Sequence, residues 1–146
     1  MLVPVNLSEA KSTGGQLDLI YQNRRGLSAR LGVAAQRARN GQGDRLRYSP
    51  EHLLKLQLGL PIGGHLRLGL QSEFIGAQRT RDGRLGGYLL NHLTLQADRL
   101  RPGLAVTASI RNLFDRQYAW PTGDEYALSS YPGRGREFWL QTTISF

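Results

Sequence analysis

The chain has 146 residues, a length that suits one domain, and no cysteine, which excludes disulfides and thiolate metal sites. Its net charge is +8, carried almost wholly by arginine, since lysine occurs only at Lys11 and Lys55. That balance suits an anionic neighbour, but the arginines are spread along the chain and form no block. A set of solvated strand faces and loops is therefore expected ahead of a nucleic-acid groove.

The first ten residues, MLVPVNLSEA, lack the basic start and apolar core of a signal peptide. A protein outside the cytoplasm is then expected to take its export signal from residues upstream of these. Residues 2–10 offer a possible partial strand, weakened by Pro4, which removes a ladder donor. From Gly15 onward the pattern is strand, turn, strand. Leu17, Leu19 and Tyr21 alternate with Gln16, Asp18 and Gln22, and the turn NRRG follows. Leu27, Ala29, Leu31, Val33 and Ala35 then alternate with Ser28, Arg30, Gly32 and Gln36. A polar loop over 39–48 leads to Leu54, Leu56, Leu58 and Leu60, alternating with Lys55, Gln57 and Gly59. The tight turn PIGG precedes Leu66, Leu68 and Leu70, and the strand runs on toward Phe74.

A second long loop, 78–86, separates this strand from one with Leu89, Leu93 and Leu95 on one face and Leu90, His92, Thr94 and Gln96 on the other. The turn DRLRPG leads to Leu104, Val106, Ala108 and Ile110. After a third long loop, 119–130, comes the last strand. Phe138, Leu140, Thr142, Ile144 and Phe146 share one of its faces. The chain is expected to be all-β: an antiparallel meander of about seven to eight long strands, joined alternately by short turns and long loops. No apolar run reaches the roughly 18 residues of a transmembrane helix. Long strands with one apolar and one polar face instead match a transmembrane β-barrel. Tyr21, Tyr48, Phe74, Tyr88, Tyr118, Trp120 and Tyr131 fall near strand ends, where an interfacial girdle is expected.

Enzyme signatures are absent. His52, His65 and His92 lack metal-ligand spacing, and Asp124 with Glu125 reads as a solvated turn. No phosphate loop or nucleophile elbow occurs. No catalytic residue, metal or cofactor is expected.

Two segments near the end carry a resemblance. ASIRNLFDRQY begins at Ala108, and YPGRGREFWLQTTISF begins at Tyr131. Together they resemble the C-terminal end of the TonB-dependent outer-membrane receptors. The matching positions are Asn112, Leu113, Phe114, Asp115 and Tyr118, then Tyr131, Pro132, Gly133, Gly135, Arg136 and the final Phe146. Asn112 falls where the apolar alternation ends, so its amide is placed to satisfy backbone groups. Phe114 and Tyr118 are expected at the interface, and Gly133 and Gly135 to supply turn φ values. YSPEHLLKLQLGLP and GGYLLNHLTL are similar to barrel strands of the same family, less specifically.

The resemblance implies that residues 1–146 are the C-terminal portion of a receptor barrel of about 22 strands, with its plug domain elsewhere. It implies a Gram-negative outer-membrane location and uptake of an iron–siderophore or similar chelate. TonB would act only through an N-terminal segment outside this sequence, and the last strand would be read by the barrel assembly machinery. Membrane lipid and lipopolysaccharide are expected neighbours; nucleic acid is not. The possible ligand-contact residues are Arg79, Arg81 and Arg84, with Trp120 and Tyr126, because arginine with aromatics suits an anionic chelate. Two alternatives stand beside this reading. One is a self-contained eight-stranded barrel that uses residues 2–10 as a strand. The other is a soluble basic β-protein that binds nucleic acid, against which the arginines of the loops and turns weigh (Arg24, Arg25, Arg45, Arg47, Arg79, Arg81, Arg84, Arg99, Arg101).

Overall fold

A computed structural model describes residues 10–145. In chain order its strands are β1 (Ala10–Gln22), β2 (Ser28–Asn40), β3 (His52–Pro61), β4 (Leu66–Ile75), β5 (Gln78–Arg79), β6 (Arg84–Leu85), β7 (Tyr88–Arg101), β8 (Leu104–Arg111), β9 (Ala119–Pro121), β10 (Ser130–Pro132) and β11 (Glu137–Ile144). Seven of them form one sheet in the order β1-β2-β3-β4-β7-β8-β11, every neighbour antiparallel. The two remaining pairs, β5–β6 and β9–β10, are small hairpins inside the loops.

The registers resolve the two faces. Leu19, Leu31, Leu56 and Ser72 lie in one row across β1 to β4. The next row down runs Tyr21, Ala29, Leu58, Leu70, Leu93, Ile110 and Phe138 across all seven strands. Below it come Leu60, Leu68, Leu95, Ala108 and Leu140. The other face carries Asp18, Arg30, Lys55, Glu73, Gln57, Gln71, His92, Thr94 and Ser109, with Gly32, Gly59 and Gly69 among them. Alternation has produced one continuous apolar face and one polar face, each a single surface of the sheet.

This sheet has almost no closed core. Among the described residues the buried apolar side chains are Tyr88, Leu90 and Ala97, and no large side chain is fully enclosed. Leucines on the apolar face stay open, and Phe138 and Leu140 on β11 are 72% and 74% exposed. A soluble sandwich would cover that face with a second layer.

Short turns gather at one end of the sheet. At the first, Asn23 Oδ1 accepts from Arg25 N and Leu27 N, both at 3.0 Å, while Gly26 takes φ 85°. At the last, Pro102–Gly103 links Arg101 to Leu104, with Gly103 at φ 74°. Loops 41–51, 76–87 and 112–136 gather at the opposite end.

The structure corrects several expectations. The first strand begins at Ala10 and not at Gly15, because AKSTGG continues the ladder with residues 35–40. The partial strand over 2–10 was to end at Ala10, which instead opens β1; residues 1–9 lie outside the described residues. Loop 78–86 contains one small hairpin, and the other begins in loop 119–130 and runs on to Pro132. The aromatic girdle is only partly formed. Tyr21 and Phe74 face outward with the leucines, but Tyr88 is paired with Ile75 on the polar face and gathers Tyr118 and Trp120 around it. The arginines of turns and loops divide between both ends: Arg24, Arg25, Arg99 and Arg101 at the short-turn end, the rest at the long-loop end.

Candidate functional site

The long-loop end holds most of the residues singled out from sequence, and its loops are tied to one another. Tyr48 N donates to Arg79 O at 2.9 Å, joining loop 41–51 to β5. The Tyr48 hydroxyl donates to Asp124 Oδ1 at 2.5 Å, and Arg47 pairs with the same carboxylate at 3.3 Å. The Asp124 carboxylate raises the Tyr48 phenol above its ordinary range, chiefly through that hydrogen bond. Arg81 reaches from the β5–β6 hairpin to Ala127 O at 3.2 Å and Tyr126 O at 3.4 Å, while pairing with Asp82 at 3.1 Å. The Arg81 hydrogen bond holds the Asp82 carboxyl below the usual carboxylate range. With its folded value depressed, that contact is present at neutral pH and is lost as pH falls through the lowered value.

The proposed ligand residues therefore divide. Arg79 and Arg84 are register partners on β5 and β6, and with Arg45, Glu51 and Ser49 they line a small cleft of about 80 Å³. Arg81 is committed to loop carbonyls beside Tyr126. Trp120 lies apart from both, edge-on to Tyr118 at 5.5 Å and to Tyr88 at 6.2 Å. The tie between Tyr48 and Asp124 carried no signal in sequence, because the partners are 76 positions apart.

The C-terminal motif has a structural account. Asn112 and Asp115 both take φ 50°, in the left-handed region that asparagine and aspartate enter more readily than other side chains. Asn112 is 4% exposed. Its Nδ2 donates to Arg116 O at 3.0 Å and Arg134 O at 3.2 Å, and its Oδ1 accepts from Arg116 N at 2.8 Å. Asp115 Oδ1 accepts from Arg136 N at 2.8 Å. Thus Asn112–Asp115 and Arg134–Arg136 fasten the two ends of loop 112–136 together, and the two halves of the motif depend on each other. Leu113 N donates to Asn91 O at 2.8 Å, so the turn is also anchored to β7. Phe114 stands 72% exposed, Tyr118 is half-buried against Tyr88, and Tyr131 and Pro132 lie on β10. Phe146 lies outside the described residues.

Gly133 and Gly135 do not take positive φ, contrary to expectation. Gly133 lies against the Tyr118 ring, where any Cβ would overlap ring carbons, and its N donates to Tyr118 O at 2.8 Å. Close approach is the reason for glycine there. Gly133→Ala is expected to cost about 1–3 kcal/mol, read as a lowered urea midpoint; an unchanged midpoint would show that the ring moves freely aside.

On the polar face, sequence reasoning missed a ladder of opposite charges. Asp18 meets Arg30 at 3.5 Å and Lys55 meets Glu73 at 2.8 Å. Gln71 donates to Glu73 at 2.6 Å and accepts from Gln57 at 3.2 Å. Strand register, absent from single-strand periodicity, was the signal needed.

No family model and no curated protein matches the chain. Solved structures do. The ferric-catecholate import receptor Fiu from E. coli K12, in its closed form, matches with a TM-score of 0.81 at 21% identity, over 94% of this chain and 21% of that one. The ferripyoverdine receptor of the outer membrane of Pseudomonas aeruginosa gives 0.80 at 18% identity, over 94% and 20%. The copper transporter OprC gives 0.74 at 23% identity, over 94% and 24%. The chain shares the fold of the matching β-barrel segments in these structures. It spans about a fifth of the length of the first two structures. Its sheet is open among the described residues: β1 and β11 each pair on one side only.

Proposed function

We propose that this chain is part of the barrel wall of an outer-membrane active-transport receptor in a Gram-negative bacterium. It would take up an iron–siderophore complex or similar chelate, energised by TonB through a segment outside this sequence. One observation carries the reading: an uncovered apolar face and a polar face, on a sheet with the curvature of a large receptor wall. Residues 1–146 are then a C-terminal barrel portion. The chain works as a transport wall and not as an enzyme, and its last strand is what the barrel assembly machinery reads.

Strand direction supports the larger barrel. β1 and β11 both run from the long-loop end to the short-turn end, so they are parallel to each other. Antiparallel closure needs an odd number of further strands between them. Fifteen more, for a barrel of about 22, meet that condition. One more would give the self-contained eight-stranded barrel, but small barrels fill their interior with side chains, whereas Gly32, Gly59 and Gly69 leave this inner face shallow.

The test is uptake. Cells lacking the gene, grown in iron-poor medium with a panel of ferric chelates, should lose growth on one of them. Unchanged growth on every ferric chelate, with loss of copper uptake, would replace iron by copper as the cargo. In the complete receptor, Arg79→Ser with Arg84→Ser is expected to weaken binding of that chelate roughly tenfold or more, as loss of charge-assisted contacts does. Unchanged affinity would remove the β5–β6 arginines from the ligand site.

A further inference from the structure

The outward face of β1 and β2 changes character toward the long-loop end. On β2 the outward series runs Leu31, Val33, Ala35, then Arg37 and Arg39; on β1, Leu19, Leu17 and Gly15 give way to Thr13 and Lys11. Lys11 is the direct register partner of Arg39, and Thr13 that of Arg37. Three cations thus crowd one patch, and like charges directly opposite on a sheet destabilise it.

Six of the other sixteen cations are compensated. Arg30, Arg45, Arg47, Lys55, Arg81 and Arg134 each pair with a carboxylate. Among the described residues Lys11, Arg37 and Arg39 have no such partner, and Arg39 makes one bond, to Gly43 O at 3.4 Å. Together with Thr13 and Asn40 they line an open cleft of about 560 Å³.

We propose that this cleft binds the phosphate of a phosphorylated glycolipid in the outer leaflet, held against the wall from the lipid side. The proposal rests on the reading of the chain as an outer-membrane wall. Guanidinium pairs suit phosphate oxygens, and a bound dianion turns the Lys11–Arg39 repulsion into attraction. Lipid is the source because of what lies below. Arg37 stands about 13 Å along the strand from Val33, on the same face as Leu17 and Leu19, which are 54% and 53% exposed. A phosphate in the cleft places acyl chains on those leucines. In a barrel with its long loops outside, this is headgroup level.

The test uses the full protein extracted from outer membranes, with lipid A diphosphate, dephosphorylated lipid A and inorganic phosphate as probes. The triple variant Lys11→Gln, Arg37→Gln, Arg39→Gln should bind lipid A diphosphate roughly a hundredfold more weakly. Binding of dephosphorylated lipid A should not change, and inorganic phosphate should not displace the diphosphate. Arg24→Gln, Arg25→Gln, Arg99→Gln removes equal charge at the other end and should leave binding intact. Arg37→Lys with Arg39→Lys keeps the charge and should lose less affinity than the glutamine triple, which guards against a folding artefact. Undiminished binding by the outward triple, or equal loss in the turn-end control, overturns the patch. Displacement by inorganic phosphate overturns lipid as the source. Failure of the native protein to fractionate with outer membranes would instead overturn the location.

Discussion

Ala108→Arg is expected to destabilise the membrane-embedded protein by about 2–4 kcal/mol, while Thr107→Arg changes stability by less than about 0.5 kcal/mol. The two residues are neighbours on β8 and face opposite ways. Ala108 stands between Leu95 and Leu140 on the apolar face, and Thr107 between Gln96 and Gln141 on the polar one. An arginine at Ala108 enters hydrocarbon and must deform the bilayer or reach for headgroups. At Thr107 it enters a hydrated surface. Urea midpoints in phosphatidylcholine bilayers, compared at constant slope, measure the difference. Equal effects at both positions would mean that the apolar face does not meet lipid.

Asn112→Ala is the second large effect, expected at about 2–4 kcal/mol. The substitution leaves Arg116 N, Arg116 O and Arg134 O without the side-chain partners they have now. It also holds an alanine at φ 50°, where asparagine is better tolerated. Asn112→Gly loses the same bonds but not the backbone fit, so it should be milder than alanine by about 1 kcal/mol. The difference separates strain from hydrogen bonding. If alanine leaves the urea midpoint unchanged, the Asn112 knot does not hold loop 112–136.

Much of the wall was legible in the sequence, because each strand carries its own period of two. Leu54 to Leu60 and Leu66 to Leu70 show it without any partner. β1 was drawn five residues short because Ala10, Lys11, Ser12, Thr13 and Gly14 carry no apolar alternation; only pairing with residues 36–40 makes them strand. What depends on register or on distant contacts stayed hidden. The Asp18–Arg30 and Lys55–Glu73 pairs need the alignment of two strands. The Tyr88, Tyr118 and Trp120 cluster needs a loop folded back over the polar face, so aromatics near strand ends read as a girdle. The C-terminal motif was visible as letters, but its logic is not. The positive φ belongs to Asn112 and Asp115, while Gly133 answers to an aromatic ring.

The absence of cysteine makes the central claim directly measurable. Single cysteines placed one at a time from Leu53 to Leu60 on β3, in the protein in its native membrane, can be challenged with a lipid-soluble and a water-soluble maleimide. Positions 54, 56, 58 and 60 should react with the lipid-soluble reagent, and positions 53, 55, 57 and 59 with the water-soluble one. Labelling of all eight from water, or with no alternation, would contradict a sheet with lipid on one face and a wet lumen on the other.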